Sequence, residues 1–169
     1  MVPPAAGGDD DDDDDDDDEA IVAIEQALHT LARRLRQGRL HEHFARQAGV
    51  NLDQAGLAML YVLREPETSL RITDLAARLG IDTPGVTRKA QQLERKGLVS
   101  RCRAATDARA SLVRLTPAGQ QALTRFLDVR YQWFAAVLAS WPAAERREFA
   151  RLVACFTDGM HEQLDRLKL

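Results

Sequence analysis

Apolar residues recur at three- and four-residue steps through most of this chain, the spacing typical of amphipathic helices. The first stripe comprises Ile21, Ile24, Leu28, Leu31 and Leu35. Gly38 weakens the helix after this stripe, and the same spacing continues from Leu40 to Gly49. Asp53 can cap a further short helix that ends at Glu65-Pro66. The residues expected to face the core in that helix are Leu57, Leu60 and Leu63.

Two long helices are predicted at the C-terminal end. Thr116 followed by Pro117 is typical of a helix start, and Pro142 opens the last helix. The first of these helices keeps Leu123, Phe126, Arg130, Trp133 and Val137 on one face. The apolar stripe of the last helix comprises Phe149, Leu152, Val153, Phe156, Met160, Leu164 and Leu167. This stripe is longer than one neighbour requires, so we expect the terminal helices to pair with a second copy of the chain.

Between these regions, two short helices are joined by a glycine turn. Thr73 is predicted to cap a helix over residues 74–79, and Gly80 supplies the left-handed exit. Asp82 or Thr83 then caps a second helix, which ends at Gly97. Its core-facing residues are Val86, Ala90 and Leu93. This arrangement indicates a helix-turn-helix.

The outer face of the second helix is polar and basic. The candidate contacts to nucleic acid are Thr83, Pro84, Gly85, Thr87, Arg88, Gln91 and Gln92, with Arg95 behind them. Small residues at a helix start allow close approach to a major groove, and Arg and Gln make paired hydrogen bonds to guanine and adenine. The same pattern also fits the solvated face of an ordinary amphipathic helix.

A hairpin is predicted directly after this helix, with strands over residues 98–101 and 111–115 and a turn over 104–108. We call it the wing. Arg101, Arg103 and Arg109 lie in or near it. An arginine at the tip of such a hairpin can reach the narrow minor groove of DNA, where negative potential is concentrated.

Charge is distributed unevenly along the chain. Asp9 to Asp18 and Glu19 form one block of eleven acidic residues, and without them 23 Lys and Arg face 15 Asp and Glu, a net charge of about +8. Residues 71–115 hold ten Lys and Arg against four Asp and Glu. The excess positive charge favours a polyanionic partner. We expect residues 1–19 to be a disordered tail, either a tethered competitor of DNA or an inert solubilising extension.

Composition excludes several classes of protein. The chain has 169 residues, 45% of them apolar, a length typical of a single domain. No apolar run approaches a membrane span and no secretion leader is visible, so we expect a soluble cytoplasmic protein without membrane partners. Two cysteines do not make a disulfide framework, and the scattered histidines do not have metal-ligand spacing. No catalytic constellation is present, so we predict neither an enzyme nor a bound cofactor.

These motifs resemble the MarR family of winged helix-turn-helix regulators. The resemblance spans roughly residues 20–167 and is specific in three segments. They are Leu75-Ala76 with Leu79-Gly80, Leu93 to Val99, and Arg101 with Asp107-Ala108-Arg109 and Val113 to Gly119. It implies a mainly α fold with a small β-hairpin wing. Residues 20–50 and 117–167 would form the dimerisation helices of a single domain over 20–169, and residues 53–116 the DNA-binding part.

The resemblance also assigns roles. Thr83, Pro84, Thr87, Arg88 and Gln91 would lie in the major groove. Arg109 would be at the wing tip, with Asp107 orienting the wing's guanidinium groups through charge-assisted hydrogen bonds. The chain departs from the family's pattern at Gly85, at Ala108 and in the Asp block.

A small-molecule pocket between the dimer helices and the winged helix is a further implication, often for aromatic acids. His43, Phe44, Tyr61 and Trp133 are candidates to line it, or they are ordinary core and surface residues. Cys102 lies between Arg101 and Arg103, so it is either a redox-sensing thiol or an incidental cysteine.

The sequence therefore predicts a homodimeric regulator of double-stranded DNA. We expect a repressor that binds a palindromic operator and is released by a small aromatic effector. One alternative is a redox-sensing regulator of the same fold that uses Cys102. The other is a winged-helix module that binds proteins and not specific DNA.

Overall fold

The structure is a computed structural model that describes residues 10–36, 38–65, 68–104 and 107–167. Side chains are described throughout these ranges except at residues 10–17, 36, 103, 104 and 107–111. The chain forms helices α1 (Asp10–Arg36), α2 (Arg39–Gln47), α3 (Gln54–Val62), α4 (Ile72–Leu79), α5 (Thr83–Arg95), α6 (Pro117–Val137) and α7 (Ala143–Leu167). Strands β1 (Ser69–Arg71), β2 (Val99–Ala104) and β3 (Asp107–Leu115) form an antiparallel sheet of order β1-β3-β2. The architecture is a winged helix-turn-helix flanked by long terminal helices.

The core lies where α2, α3 and α6 meet the helix-turn-helix and the base of the wing. Leu60, Leu75, Leu93 and Val113 are completely buried there. The predicted core face of α3 is confirmed, since Leu57 and Leu63 are buried beside Leu60. In α6 only the first half contributes buried residues, namely Gly119, Ala122, Leu123 and Phe126.

Local capping chemistry sets several helix starts as predicted. The Asp53 carboxylate accepts a hydrogen bond from the Gly56 amide at 2.9 Å, and Thr116 caps α6 through the Gly119 amide at 3.1 Å. Each oxygen satisfies one of the amides that a helix start leaves without a partner.

The start of α1 differs from the prediction. We expected no regular structure before Ala20, but the helix begins at Asp10 and continues without a break to Arg36. Acidic residues near a helix start interact favourably with the macrodipole, and extending an existing helix is less costly than nucleating one. Residues 1–9 of the predicted tail lie outside the described residues.

The entry into α4 and the extent of the sheet also differ from the prediction. Thr73 does not cap α4, because the helix begins at Ile72 with Arg71 in the cap position. Strand β1, which the sequence did not predict, fixes this entry by pairing Arg71 with Leu112 of β3. The wing strands are longer than expected, since β2 continues to Ala104 and β3 begins at Asp107. The tip, residues 105–106, lies outside the described part of the chain.

Candidate nucleic-acid interface

Helices α4 and α5 form the predicted helix-turn-helix. Gly80 ends α4 with φ 62°, a left-handed conformation that glycine adopts without a steric penalty. Asp82 caps α5, its carboxylate accepting from the Gly85 amide at 3.2 Å, so the cap is Asp82 and not Thr83. Val86, Ala90 and Leu93 anchor α5 in the core, as the periodicity predicted.

The opposite face of α5 is open to solvent. The exposed candidates are Thr83, Pro84, Arg88, Gln91 and Arg95, and the half-buried ones are Gly85, Thr87 and Gln92. All of the polar candidates on α5 therefore lie on one side of a helix whose other side is held by the core. A helix held in this way can present side chains to a groove with little loss of conformational entropy on binding.

Two candidates at the start of α5 have local structural roles. The Thr87 hydroxyl donates to the Thr83 carbonyl at 2.8 Å, so it retains only acceptor capacity for a partner. At Gly85 a Cβ atom would lie 2.7 Å from the Asp82 carboxylate, which makes glycine compatible with the cap. The departure from the family's pattern at this position thus has a structural reason.

Lys89 of α5 and Lys96 at the C-cap of this helix both form hydrogen bonds within the protein. Lys89 Nζ lies 2.6 Å from Asp53 Oδ2 and 3.0 Å from Gln92 Oε1, while Lys96 Nζ donates to the Asn51 carbonyl at 2.6 Å. Burial alone raises the pKa of Asp53, but hydrogen bonds from Lys89 and the Gly56 amide and the charge of Lys89 outweigh it, so the pKa is lowered. These contacts hold α5 against the loop that precedes α3.

Arg101 connects the wing to α5. Its Nε and Nη2 atoms lie 2.7 and 2.5 Å from Glu94 Oε2. The hydrogen bond from Arg101 lowers the pKa of Glu94, outweighing a small desolvation effect. Arg101 is thus engaged inside the protein. The side chains of the other wing candidates, Arg103, Asp107 and Arg109, lie outside the described residues, although their backbones belong to β2 and β3.

The wing is packed closely against the start of α6. The Thr116 hydroxyl donates to the Gly97 carbonyl at 2.6 Å, and the Thr116 amide donates to the Leu98 carbonyl at 3.1 Å. A Cβ atom at Gly119 would lie 2.0 Å from that Leu98 oxygen. Only glycine permits this approach, so Gly119 fixes α6 relative to the end of α5.

Cys102 is exposed on the outer face of the sheet. Neighbouring strand residues point to opposite faces, and Arg101 is bound to Glu94 on the other face. Arg101 is therefore directed to the face of the sheet opposite Cys102. Cys102 instead lines a groove with Ser100 and Arg114, whose side chains hydrogen bond at 3.0 Å.

A cavity of about 560 Å³ lies between α2, α3, the end of α4 and α6. Phe44 and Tyr61 line it, whereas His43 and Trp133 do not. Trp133 instead packs edge-on against Phe44 with ring centroids 5.7 Å apart. The structure thus brings together two of the four residues proposed from the sequence.

Sequence reasoning missed four polar residues of this cavity, His41, Gln54, Arg78 and Arg130. The Nε2 atom of His41 is buried and has no hydrogen-bond partner among the described residues. The Arg130 guanidinium lies 5.9 Å from the centre of the Tyr61 ring. Arg130 interrupts an otherwise apolar stripe of α6, and this interruption was the sequence signal that could have placed a polar residue in the cavity.

The terminal helices expose long apolar faces. Along α1 the large apolar side chains from Ile21 to Leu35 are 39–64% exposed. Helix α7 has no buried residue, and its stripe from Phe149 to Leu167 is 40–66% exposed. Apolar faces of this size normally mark an interaction surface.

Two further features are absent from residues 10–36, 38–65, 68–104 and 107–167, which the structure describes. Over these ranges, no helix is both long and apolar enough to cross a membrane. In the same part of the chain, no group of three His, Cys, Asp or Glu side chains is placed to hold a metal ion.

Comparison with known proteins finds relatives that share this architecture. The model of the MarR family matches residues 49–110, which cover the helix-turn-helix and most of the wing. An uncharacterized HTH-type transcriptional regulator of Bacillus subtilis (strain 168), YdgJ, is 35% identical over 101 residues. That alignment covers 60% of this chain and 61% of the relative, so the match spans less than two thirds of its length.

Solved structures share the fold over a larger part of the chain. A MarR family protein from Bacillus stearothermophilus superposes with a TM-score of 0.75 at 22% identity, covering 85% of this chain and 97% of the other. The PcaV transcriptional regulator from Streptomyces coelicolor, solved in complex with its natural ligand, gives a TM-score of 0.54 at 28% identity. It covers 76% of this chain and 89% of PcaV.

Proposed function

We propose that this chain, whose residues 49–110 match the MarR family, is a transcriptional regulator of that family that binds duplex DNA sequence-specifically as a homodimer. The observation that carries this proposal is the two-sided character of α5. Its core face is fixed by Val86, Ala90 and Leu93, and its other face exposes Arg88 and Gln91. A helix of this kind fits the major groove.

The charge of the helix-turn-helix supports the same proposal. Lys89, Lys96 and Arg101 are engaged within the protein, while Arg88 and Arg95 are exposed on α5. Arg88 lies nearer the start of the helix, where a base edge is within reach, and we assign it a guanine contact. Arg109 is assigned to the minor groove at the wing tip, a role we propose from the family's pattern.

Dimerisation follows from the exposed apolar stripes of α1 and α7. Paired copies would cover both stripes and present two α5 helices related by a two-fold axis. The DNA site that matches such a dimer is a palindrome with half-sites about one helical turn apart. We propose that the protein represses transcription by occupying such an operator, in the cytoplasm where the chromosome is accessible.

A small aromatic acid is the effector that we propose for the cavity between α2, α3 and α6. Phe44 and Tyr61 supply apolar and aromatic surface, while Arg78 and Arg130 supply positive charge. His41 supplies a buried nitrogen without a partner among the described residues. A buried polar atom of this kind is stabilised by a ligand that completes its hydrogen bond.

The DNA proposal is tested by selecting bound duplexes from a random pool and measuring affinity with competitor DNA. We expect one palindromic site for the wild type. Arg88→Ala should cost about 1 to 3 kcal/mol on that site and relax one base position. Arg109→Ala should weaken binding evenly on all sequences, and Arg146→Ala on α7 is the control. Equal losses on cognate and random DNA for Arg88→Ala contradict its role.

The same selection separates the two alternative functions. Salt-sensitive binding to every duplex without a preferred site favours a protein-binding module. If peroxide abolishes binding of the wild type to its preferred site but not binding of Cys102→Ser, the result favours a redox-sensing regulator.

The effector proposal is tested by release of the selected duplex with a panel of benzoic and hydroxybenzoic acids. We expect His41→Phe to bind the active acid more weakly without a large change in DNA affinity. His43→Phe is the matched control, because His43 lies outside the cavity. Equal effects of the two substitutions contradict the assignment of His41.

A further inference from the structure

The two adjacent glutamines of α5 lie in different hydrogen-bonding environments. Lys89 Nζ bridges Asp53 Oδ2 at 2.6 Å and Gln92 Oε1 at 3.0 Å. Asp53 is itself fixed as the cap of α3 through the Gly56 amide at 2.9 Å. Gln92 is thus the last member of a chain of contacts that begins at α3. Gln91 is exposed, and its amide takes part in no hydrogen bond among the described residues.

The partner of Gln92 determines which end of its amide faces outward. A lysine ammonium group has three donors and no acceptor, so the amide atom beside Lys89 has to be the oxygen. The amide nitrogen, with its two N–H donors, then points away from Lys89. A further donor approaching the oxygen would meet the positive charge of Lys89 and be repelled. Gln92 consequently offers donors only.

Its neighbours on the same side of α5 have the same character. Arg88 and Arg95 lie four residues before and three residues after Gln92, so the three side chains form one ridge. The ridge borders a cleft of about 480 Å³ between α3 and α5. Lys96, bound to the Asn51 carbonyl at 2.6 Å, holds the end of the helix in the same orientation. On this ridge Lys89 occupies the Gln92 amide oxygen, so every polar group that is left for a partner is a donor.

We propose that Gln92 is a donor-only contact to acceptor oxygens of DNA, and that Lys89 and Asp53 are its positioning residues. This inference rests on the DNA-binding function proposed above. The acceptor is a phosphate oxygen or the keto oxygen of guanine or thymine. Adenine, which requires a donor and an acceptor from one amide, is assigned to Gln91. The adjacent glutamines therefore differ in what they offer DNA: Gln91 a donor and an acceptor, Gln92 donors alone.

The test compares base preferences and affinities of full-length variants, using duplexes selected by the wild type. Gln92→Ala should bind that site about three- to tenfold more weakly, the effect of one lost hydrogen bond. Gln91→Ala should remove an adenine preference. Lys89→Met releases the Gln92 amide. Lys89→Arg keeps a side chain that has only donors, so this variant should retain the base preferences and affinity of the wild type. Lys96→Met is the matched control, since the Lys96 ammonium group binds the Asn51 carbonyl and not the Gln92 side chain.

The two acceptor sources give different results. If Gln92 contacts a keto oxygen, Lys89→Met should newly tolerate adenine or cytosine at one base position. If it contacts a phosphate, Lys89→Met should keep the wild-type preferences and lose affinity equally on every duplex. Urea unfolding of each variant shows whether the fold is retained, and Gln92→Ala tests the proposal even where a Lys89 variant is unstable.

Three results would overturn the proposal. The first is that the wild type prefers adenine or cytosine at a position where Gln92→Ala loses that preference. The second is that Gln92→Ala binds DNA within twofold of the wild-type affinity. The third is that Lys89→Met folds and binds DNA as the wild type does. A wild type that selects no sequence at all would instead refute the proposed function, so the two failures are distinguishable.

Discussion

Replacing Gly119 with alanine should destabilise the protein more than any other glycine substitution in the described helices. The new Cβ would lie 2.0 Å from the Leu98 carbonyl oxygen, whereas ordinary contact begins near 3.4 Å. The start of α6 must therefore move by about 1.4 Å. The obstructing atom belongs to the backbone, so no change of side-chain rotamer relieves the overlap.

The cost follows from what the displacement breaks. Overpacking a well-packed site costs about 1 to 3 kcal/mol, and loss of a cap such as that of Thr116 adds about 1 kcal/mol. We expect Gly119→Ala to lower the free energy of unfolding by about 2 to 4 kcal/mol, a large part of the 5 to 15 kcal/mol typical of a domain. DNA affinity should fall as well, because Thr116 ties α6 to Gly97 at the end of α5.

Urea unfolding at one fixed protein concentration measures this effect. Gly159→Ala is the matched control, since a Cβ at Gly159 in α7 meets nothing within 4 Å. In a helix interior that control should stabilise by up to about 1 kcal/mol. Tolerated surface substitutions change the free energy of unfolding by about 0.5 kcal/mol or less. If Gly119→Ala stays within that range of the wild type, the close approach to Leu98 is not the reason that position 119 is glycine.

Three further predictions concern α5 and the dimer. Because the pKa of Glu94 is lowered by Arg101, the pair stabilises the fold above the ordinary carboxyl pKa of 4.5, and its contribution is lost as the pH falls through the lowered value. The difference in urea midpoint between wild type and Glu94→Gln should thus be present at pH 7 and shrink progressively as the pH falls below the ordinary carboxyl pKa; a constant difference contradicts this. Phe156→Asp should abolish the dimer in sedimentation equilibrium, whereas Asp158→Ala, on the opposite side of α7, should leave it intact; a dimeric Phe156→Asp protein refutes the role of α7. Asp82→Ala removes the α5 cap and should cost about 1 kcal/mol of stability in urea unfolding together with DNA affinity; an unchanged urea midpoint shows that the cap is dispensable.

The features that the sequence predicted correctly depend on local chemistry. The buried positions Val86, Ala90 and Leu93 follow from helical periodicity, and the caps Asp53 and Thr116 act on amides three residues away. Such signals need only a short window of sequence. They were sufficient for the helix-turn-helix and for the starts of α3 and α6.

The features that were missed depend on residues distant in the sequence. Strand β1 is three residues long and exists because it pairs with β3, more than forty residues later, and this pairing displaced the expected cap at Thr73. The commitment of Lys89 to Asp53 likewise joins residues 36 positions apart. Periodicity predicts the side of a helix on which a charge lies. It does not predict whether that charge already has a partner, and this is why Arg101 was assigned to DNA alone.

The position of the cavity along α6 has a mechanical consequence. Arg130 lies fourteen residues after Thr116, a distance of about 21 Å at 1.5 Å per residue. Pivoting the helix by about 5° at Arg130 displaces Thr116 by about 1.8 Å, which is more than a hydrogen bond tolerates. The 2.6 Å bond between Thr116 and Gly97 must then break or pull the end of α5 along. A molecule that wedged the cavity open by a few degrees would therefore act on α5 without touching it.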